Sequence, residues 1–439
     1  MRSFVLALAG LLACAVVLAD GSGDGVLDGF IRESLDRNPG VRAMTHRVAA
    51  SQAAVRQARS AWLPRLGASA SYMITDNAPQ AFMMKLNQRQ LDMSDPGFDF
   101  NAPDDTENVR LSLGLKYRLY DGARAARIGG AGIGGQIAAA QEQAVRNTLV
   151  HEVTRGYYQV LEAQAFVAVQ TAALASLEES LRVAGERYAS GSAVRTDVLN
   201  LEVQTAQARE NLIRARNGVQ LAIAALNTAI GYETVSEAGL PTPVLQPVAP
   251  APVPADADLA RRPEMRIGEL EAQAAAWGLK AVRRERGPVL NAFGSSDWDS
   301  EDLSDTERSY TAGVALEWEW FSGFEKGAKV EEARQLVQAA ESGRDQMRRA
   351  LALDLRQATL ALEEAWARLQ VTSQAVGSAE EALRITRAQY TEGAAEISVL
   401  LVAELGLTET RMRDTAAMYD YQIARSNVDR ATGRLATRY

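Results

Sequence analysis

A mostly helical chain with a small β portion, folded as two internal structural repeats, is the fold class this sequence predicts. Three observations carry the prediction. One turn occurs twice: "ERYASGSAVRTDVLNLE" at 186–202 and "AQYTEGAAEISVLLVAE" at 388–404 each set a glycine three residues after a tyrosine, at an offset of 202 residues. Two segments alternate apolar and polar residues with period two, as strands do. Proline-free stretches with helical apolar spacing flank both turns, as helical hairpins require.

In chain order, the first element is a leader. "MRSFVLALAGLLACAVVLADGSGDG" has one early positive charge, an apolar run too short to span a membrane, and a small-residue site at Val17-Leu18-Ala19. Residues 1–19 read as a signal peptide cleaved before Asp20. "LLAC" offers a lipoprotein box with Cys14 acylated, but the residues after Cys14 stay apolar, which favours ordinary cleavage. Either route takes the chain out of the cytoplasm. Beyond the leader there is no uninterrupted run of 18 apolar residues, so no transmembrane helix is expected, while entry into a membrane as strands stays open.

Repeat one is expected over 20–239 and repeat two over 259–439. The intervening 240–258, "LPTPVLQPVAPAPVPADAD", is a connector that its prolines hold extended. "RNPGVRA" at 37–43 matches "RRPEMRI" at 261–267 at offset 224, whereas "YDGAR" at 120–124 matches "FSGFE" at 321–325 at offset 201. The first half therefore holds extra length, which the spacing assigns to a long loop over 75–108. Each half reads as helix, strand pair, very long helix, turn, helix.

The second strand of each pair is the clearest. Leu111, Leu113, Leu115, Tyr117 and Leu119 share one face, against Arg110, Ser112, Gly114, Lys116 and Arg118. Tyr310, Ala312, Val314, Leu316, Trp318 and Trp320 do the same against Gly313, Ala315, Glu317 and Glu319. Their partners are weaker: Leu66 to Ile74 in one half and a short piece near Val289 to Phe293 in the other. Tyr117, Tyr120, Trp318, Trp320 and Phe321 gather at one end, like the aromatic girdle of a membrane barrel. A sheet in lipid has to close, and four strands per chain cannot close alone, so the pattern calls for an oligomer.

The helix after the first turn repeats by sevens, with Leu201, Thr205, Ala208, Leu212, Ala215, Val219, Ala222, Leu226 and Ala229 on one seam. The second half answers with Ala403, Leu407, Ala417, Tyr421, Ala424, Val428 and Ala431. The alanines permit close helix approach.

Several functions are excluded or weakened. A net charge of −8 argues against a nucleic-acid partner. One cysteine and two histidines, His46 and His151, leave no disulfide framework and no Cys/His zinc site. "GGAGIGG" at 129–135 contains G-x-G-x-x-G, but the strand before it alternates and the other repeat lacks these glycines; helix packing is the better reading. Paired acids such as Glu178-Glu179 and Glu363-Glu364 read as solvated faces. Asp299, Glu301, Asp302 and Asp305 fall in the expected second outer loop. No nucleophile, base and orienting group come together, so neither catalysis nor a cofactor nor a metal is expected.

"LDRNPGVRA", "ARSAWLPRL", "LYDG", "WFSG" and the two Y-x-x-G turns, in this order and duplicated, resemble the TolC family of outer membrane efflux proteins. The resemblance covers nearly all of the chain after its leader. It implies a homotrimer in the outer membrane of a Gram-negative bacterium, embedded in outer membrane lipid. Four strands per chain would make a 12-strand barrel, continuous with a 12-helix periplasmic coiled-coil α-barrel, with 75–108 an extracellular loop. The two turns would be the periplasmic tips, which in the family form the gate and dock a periplasmic adaptor protein linked to an inner-membrane pump. Carried over by position, the first tip offers Tyr188, Gly191, Ser192, Thr196, Asp197 and Leu199. The second offers Tyr390, Gly393, Glu396, Ile397, Val399, Leu400 and Val402. Family members place an arginine and an acidic ring at the second tip; here Ala395, Val399 and Val402 stand there. The gate would then close through apolar contacts, or through Asp197 and Glu396. The resemblance favours small-molecule efflux, with type I polypeptide secretion as an alternative; a periplasmic coiled-coil scaffold or adaptor is the rival from another class.

Overall fold

The computed structural model describes residues 24–91, 99, 101–232, 247, 249–250, 259–302 and 305–435. The expected signal peptide with Cys14, and most of the connector at 240–258, lie outside the described residues. The first half runs α1 (Asp24–Arg37), α2 (Pro39–Arg59), β1 (Arg65–Thr75), α3 (Ala78–Asn87), β2 (Thr106–Asp121), α4 (Arg124–Ala189) and α5 (Arg195–Ile230). The second half runs α6 (Pro263–Arg284), β3 (Val289–Ser300), β4 (Glu307–Glu317), α7 (Glu325–Glu392) and α8 (Ile397–Ala431). Both halves show the expected order. The opening helix of the first half is interrupted at Asn38, where Pro39 starts a new helix and the Asn38 side chain accepts from Gly40 N at 2.8 Å.

The chain divides into two compact units. One comprises Met44–Glu142 and Pro263–Ala350 and holds the strands. They form one antiparallel sheet in the order β1-β2-β3-β4. Register fixes the faces. Leu66 pairs with Leu115, Ala68 with Leu113 and Ala70 with Leu111; across the next seam Leu113 meets Ser296 and Tyr117 meets Ala292; beyond it Leu290 meets Leu316 and Ala292 meets Val314. One face is thus a continuous sheet of apolar and small residues, and it is bare: Leu66 is 82% exposed, Tyr310 81% and Leu316 65%. Gly67, Ser69 and Ser71 pair with Gly114, Ser112 and Arg110 on the opposite, polar face.

Three expectations need correction here. The piece near Val289 is a full strand of 12 residues. Its alternation is hidden in the sequence because Gly294 and Ser296 put small residues on the apolar face. Asp299 belongs to this strand, not to the outer loop; it is 1% exposed and accepts from Asn108 Nδ2 and Arg110 Nε, both at 2.7 Å. The last strand stops at Glu317, so Trp318, Trp320 and Phe321 follow it instead of alternating within it. They remain at the strand end where Tyr117 and Tyr120 sit, and Trp318 stacks edge-on against Trp320 with ring centroids 5.7 Å apart.

A bulge between Arg118 and Tyr120 shifts the β2–β3 register. Strict alternation would put Tyr117 and Tyr120 on opposite faces. With one extra residue, Tyr120 pairs with Leu290 and Tyr117 with Ala292, so both tyrosines reach the apolar face. Leu119 is the residue that the bulge absorbs. At the other strand end, Tyr72, Trp298 and Tyr310 form a second aromatic group on the same face. About eight residues separate the two groups, or roughly 26 Å along a strand at ~3.3 Å per residue, close to the height of an outer membrane apolar band.

The GGAGIGG segment lies inside α4, and the tightest packing falls on Gly129, the glycine just before the G-x-G-x-x-G motif. A Cβ there would stand 2.9 Å from the Trp277 ring of α6. The glycine lets the two helices approach, and no nucleotide loop is formed. Among the described residues α4 is also long and apolar enough to contain an 18-residue candidate membrane span. The reading of no such helix rested on uninterrupted apolar runs. Small alanines and glycines raise the window, and the same composition suits tight helix packing.

The other unit comprises Met1–Ala43, Gln143–Arg262 and Leu351–Tyr439. Its apolar side chains form three clusters. The first surrounds Tyr157, Leu161 and Ile230, with Ile31 and Val41 from α1 and α2. The second joins Leu177, Ala184, Leu201, Leu383 and Leu400 beside the turns. The third joins Leu355, Leu362 and Leu369 of α7 to Ala417, Tyr421 and Val428 of α8. The α5 seam holds from Leu201 through Thr205 and Ala208 to Leu212, then passes to Ile223, Leu226 and Ile230, leaving Ala215, Val219, Ala222 and Ala229 half-buried. A 3.6-residue helix drifts off a strict seven-residue repeat, and here the drift moves the buried stripe.

Candidate functional site

The two turns are built alike. Ser192 N donates to Arg187 O at 2.7 Å and Gly191 N to Tyr188 O at 3.0 Å; Ala394 N donates to Gln389 O at 2.8 Å and Gly393 N to Tyr390 O at 3.0 Å. This is the Schellman closure, which needs a left-handed residue, and Gly191 and Gly393 supply it with φ of 79° and 81°. The next helices start at Arg195 and Ile397, with Asp197 in the first turn of α5, where an acid meets the positive helix end.

Around these turns the expected residues divide by burial. Ile397, Leu400 and Tyr390 lie inside the chain, at 9%, 0% and 2% exposure. Tyr188, Leu199, Val399 and Val402 are exposed, as are Gly191, Ser192, Thr196, Gly393 and Glu396, and Asp197 is half-buried. The exposed members form the surface open to a partner or to a second copy. The buried ones hold the hairpins together.

Sequence reading missed how the hairpins are joined. The Arg187 guanidinium lies over the Tyr390 ring at 4.8 Å, donates to the Tyr390 carbonyl, and reaches Ser192 O at 3.0 Å. One residue of α4 thus bonds to both turns. Further along, Glu404 of α8 is 4% exposed and accepts from Arg387 of α7 at 2.6 Å, from Ser176 Oγ at 2.7 Å and from Ser180 Oγ at 3.1 Å. Arg387 also donates to Ser176 Oγ. A buried carboxylate with this many donors is satisfied, and it holds three helices in register. The one available signal was an acid between Leu400 and Leu407 on an apolar stripe. Burial, followed by the nearby Asp197 carboxylate, pushes the Tyr390 phenol above its ordinary value, so it stays protonated.

Among the described residues no group of His, Cys, Asp and Glu could hold a metal ion. The site is a turn surface, two exposed valines and a set of interhelical ties.

Family comparison fits this arrangement. The model of the family described as outer membrane efflux protein matches residues 30–232 and 255–434, one segment over each repeat. The chain belongs to the outer membrane efflux protein family. Its place is therefore the outer membrane, and its class is that of exit channels. Solved structures of similar fold include the outer membrane protein VceC from Vibrio cholerae, at 19% identity and TM-score 0.78 over 93% of this chain and 96% of that one. The channel CusC matches at 18% identity and TM-score 0.80 over 94% and 93%. The open-state outer membrane channel MtrE from Neisseria gonorrhoeae matches at 20% identity and TM-score 0.75 over 93% and 88%. No curated protein sequence matches the chain well enough to count as a relative.

Proposed function

We propose that this efflux protein is the passive outer membrane duct of a tripartite system, working as a homotrimer. The observation that carries the reading is the inverted sheet: its apolar face is bare, whereas its polar face is partly covered by the chain's own helix α3. In water that arrangement is unfavourable, since exposed apolar surface costs about 25 cal/mol per Å². In lipid it is what the solvent requires. The free edges of β1 and β4 must then be paired by other copies. Three copies of the four-stranded sheet close a barrel of twelve strands, within the range of known outer membrane barrels.

Energy comes from an inner-membrane pump, and a periplasmic adaptor docks on the exposed turn residues around Tyr188, Ser192, Thr196 and Glu396. Docking opens the duct only if the adaptor binds the open state more tightly than the closed one. Val399 and Val402 close the tip by apolar contact, in place of an acidic ring. Small-molecule efflux is the favoured cargo class on the resemblance alone, and polypeptide secretion is the alternative; the matching family is described as outer membrane efflux protein, which names no cargo.

The deciding measurement is mass in detergent. The mature chain extracted from outer membranes is measured by light scattering after size exclusion. A detergent-dependent trimer is expected. A monomer or dimer that stays soluble without detergent would remove the barrel and leave a periplasmic scaffold.

A further inference from the structure

The long loop between β1 and β2 does not simply stand in solvent. Its helix α3 lies on the polar face of the sheet. Pro79, Met83, Met84 and Asn87 of α3 and Ser71, Met73, Asn108 and Arg110 of the strands enclose a cleft of ≈ 380 Å³. All four strand residues belong to the polar-face set, since Ser71 pairs with Arg110 and Met73 with Asn108.

The helix is built to stay there. Asn77 caps its start, accepting from Gln80 N at 3.3 Å. Ala81, Met84 and Gln88 recur at helical spacing, at 0%, 7% and 4% exposure, and form the side against the sheet. Gln88 Nε2 donates to Glu107 O at 2.7 Å and to Asn108 Oδ1 at 3.0 Å; Asn108 in turn donates to the buried Asp299 carboxylate at 2.7 Å. Two ion pairs tie the end of the helix to the β3–β4 hairpin: Lys85 with Glu301 at 3.8 Å and Arg89 with Glu307 at 3.0 Å. Exposed pairs such as these contribute little alone, but they join α3 to the far strands of the sheet. Met83 and Leu86 remain exposed, at 53% and 43%.

Position follows from connectivity. β1 is entered from α2 and β2 leads into α4; β3 is entered from α6 and β4 leads towards α7. The long helices therefore attach at one end of the sheet, and α3 lies at the other, beside Met73 and Asn108. In the barrel reading, on which this inference rests, the polar face is the lumen wall and this end is the outer mouth.

We infer that α3 is a lid over the outer mouth, repeated in each protomer, and that it sets the size limit of the duct on its outer side, with Met83 and Leu86 as its rim. A loop that only shields the barrel from outside would not send a helix to the lumen wall, nor bury an amide–amide–carboxylate chain to hold it there.

The test uses a cysteine placed beyond the lid. Ser69 is exposed on the polar face, and its pairing with Ser112 places it nearer the helical end than Ser71. Ser69→Cys trimers in intact cells are treated from outside with a small methanethiosulfonate and with a bulky polyethylene-glycol maleimide. The parent chain, whose only cysteine is Cys14, gives the background. Labelling is repeated with Gln88→Ala and with Met83→Pro, each checked for unchanged mass in detergent. The small reagent is expected to label every version. The bulky reagent is expected to label about tenfold faster when the anchor or the helix is lost, the effect of releasing one net hydrogen bond of closure. Equal rates of bulky labelling with and without an intact α3 would overturn the lid. Failure of the small reagent to reach the cysteine from outside in any version would instead overturn the lumen assignment, and with it the barrel.

Discussion

Gly129 and Gly132 lie on the same helix, three residues apart, and behave oppositely. A methyl group at Gly129 would meet the Trp277 ring at 2.9 Å, whereas one at Gly132 meets nothing within 4 Å. Gly129→Ala is therefore expected to destabilise by about 1–3 kcal/mol through overpacking. Gly132→Ala gains up to about 1 kcal/mol of helix propensity. Apparent melting temperatures of the detergent-solubilised variants should move in opposite directions. Glu162 supplies a second test. Burial, helped by the Asp420 carboxylate and opposed by Arg368, pushes its carboxyl from the ordinary 4.5 up to about 7. Between these values the folded chain binds the extra proton, so this group's contribution to stability falls as pH rises from 4.5 towards 7. His151 acts the other way: burial, then Arg430 and Arg155, push it down to about 4, so stability falls as pH drops from 6.5 towards that value. Glu162→Gln should raise the melting temperature near pH 8 and change it little near pH 5, where the carboxyl is already protonated. An equal shift at both would show that the native carboxylate is not disfavoured.

At the scale of elements, the sheet assigns opposite tolerances to neighbouring positions. Leu113 is on the bare apolar face and Ser69 on the polar one. Leu113→Arg should cost about 2–4 kcal/mol if that face meets the middle of a bilayer, whereas Ser69→Lys should cost far less. The amount of trimer recovered from outer membranes reads both. Equal losses would mean that the two faces share one solvent. The two strands with strict alternation were readable from sequence. The third was not, because Gly294 and Ser296 weaken its apolar side and Asp297 and Asp299 look like loop residues. Strand pairing brings Asp297 its cross-strand donor, Ser112 Oγ at 2.5 Å, beside a local one from Ser295 Oγ at 2.9 Å on the same strand. The bulge at Leu119 was equally silent, since it is a property of the pairing and not of either strand.

For the whole molecule, the duct reading places the seal at the exposed Val399 and Val402. Val399→Asp should increase passive solute entry in pump-deficient cells by setting one charge per copy into an apolar contact, each worth several kcal/mol if it stays dry. Unchanged entry would assign closure to Asp197 and Glu396, or to the Arg187 and Glu404 ties. The sequence by itself determined the duplication, the element order, the hairpin turns and the family. These rest on local rules: glycine at a left-handed turn, period two in strands, period 3.6 in helices. Tertiary structure alone decided the Glu404–Arg387–Ser176 tie, the shared face of Tyr117 and Tyr120, the strand status of Asp299 and the inward fold of α3. Each of these depends on partners roughly 20 to 230 residues away in the chain, and local propensity carries no information about such pairings.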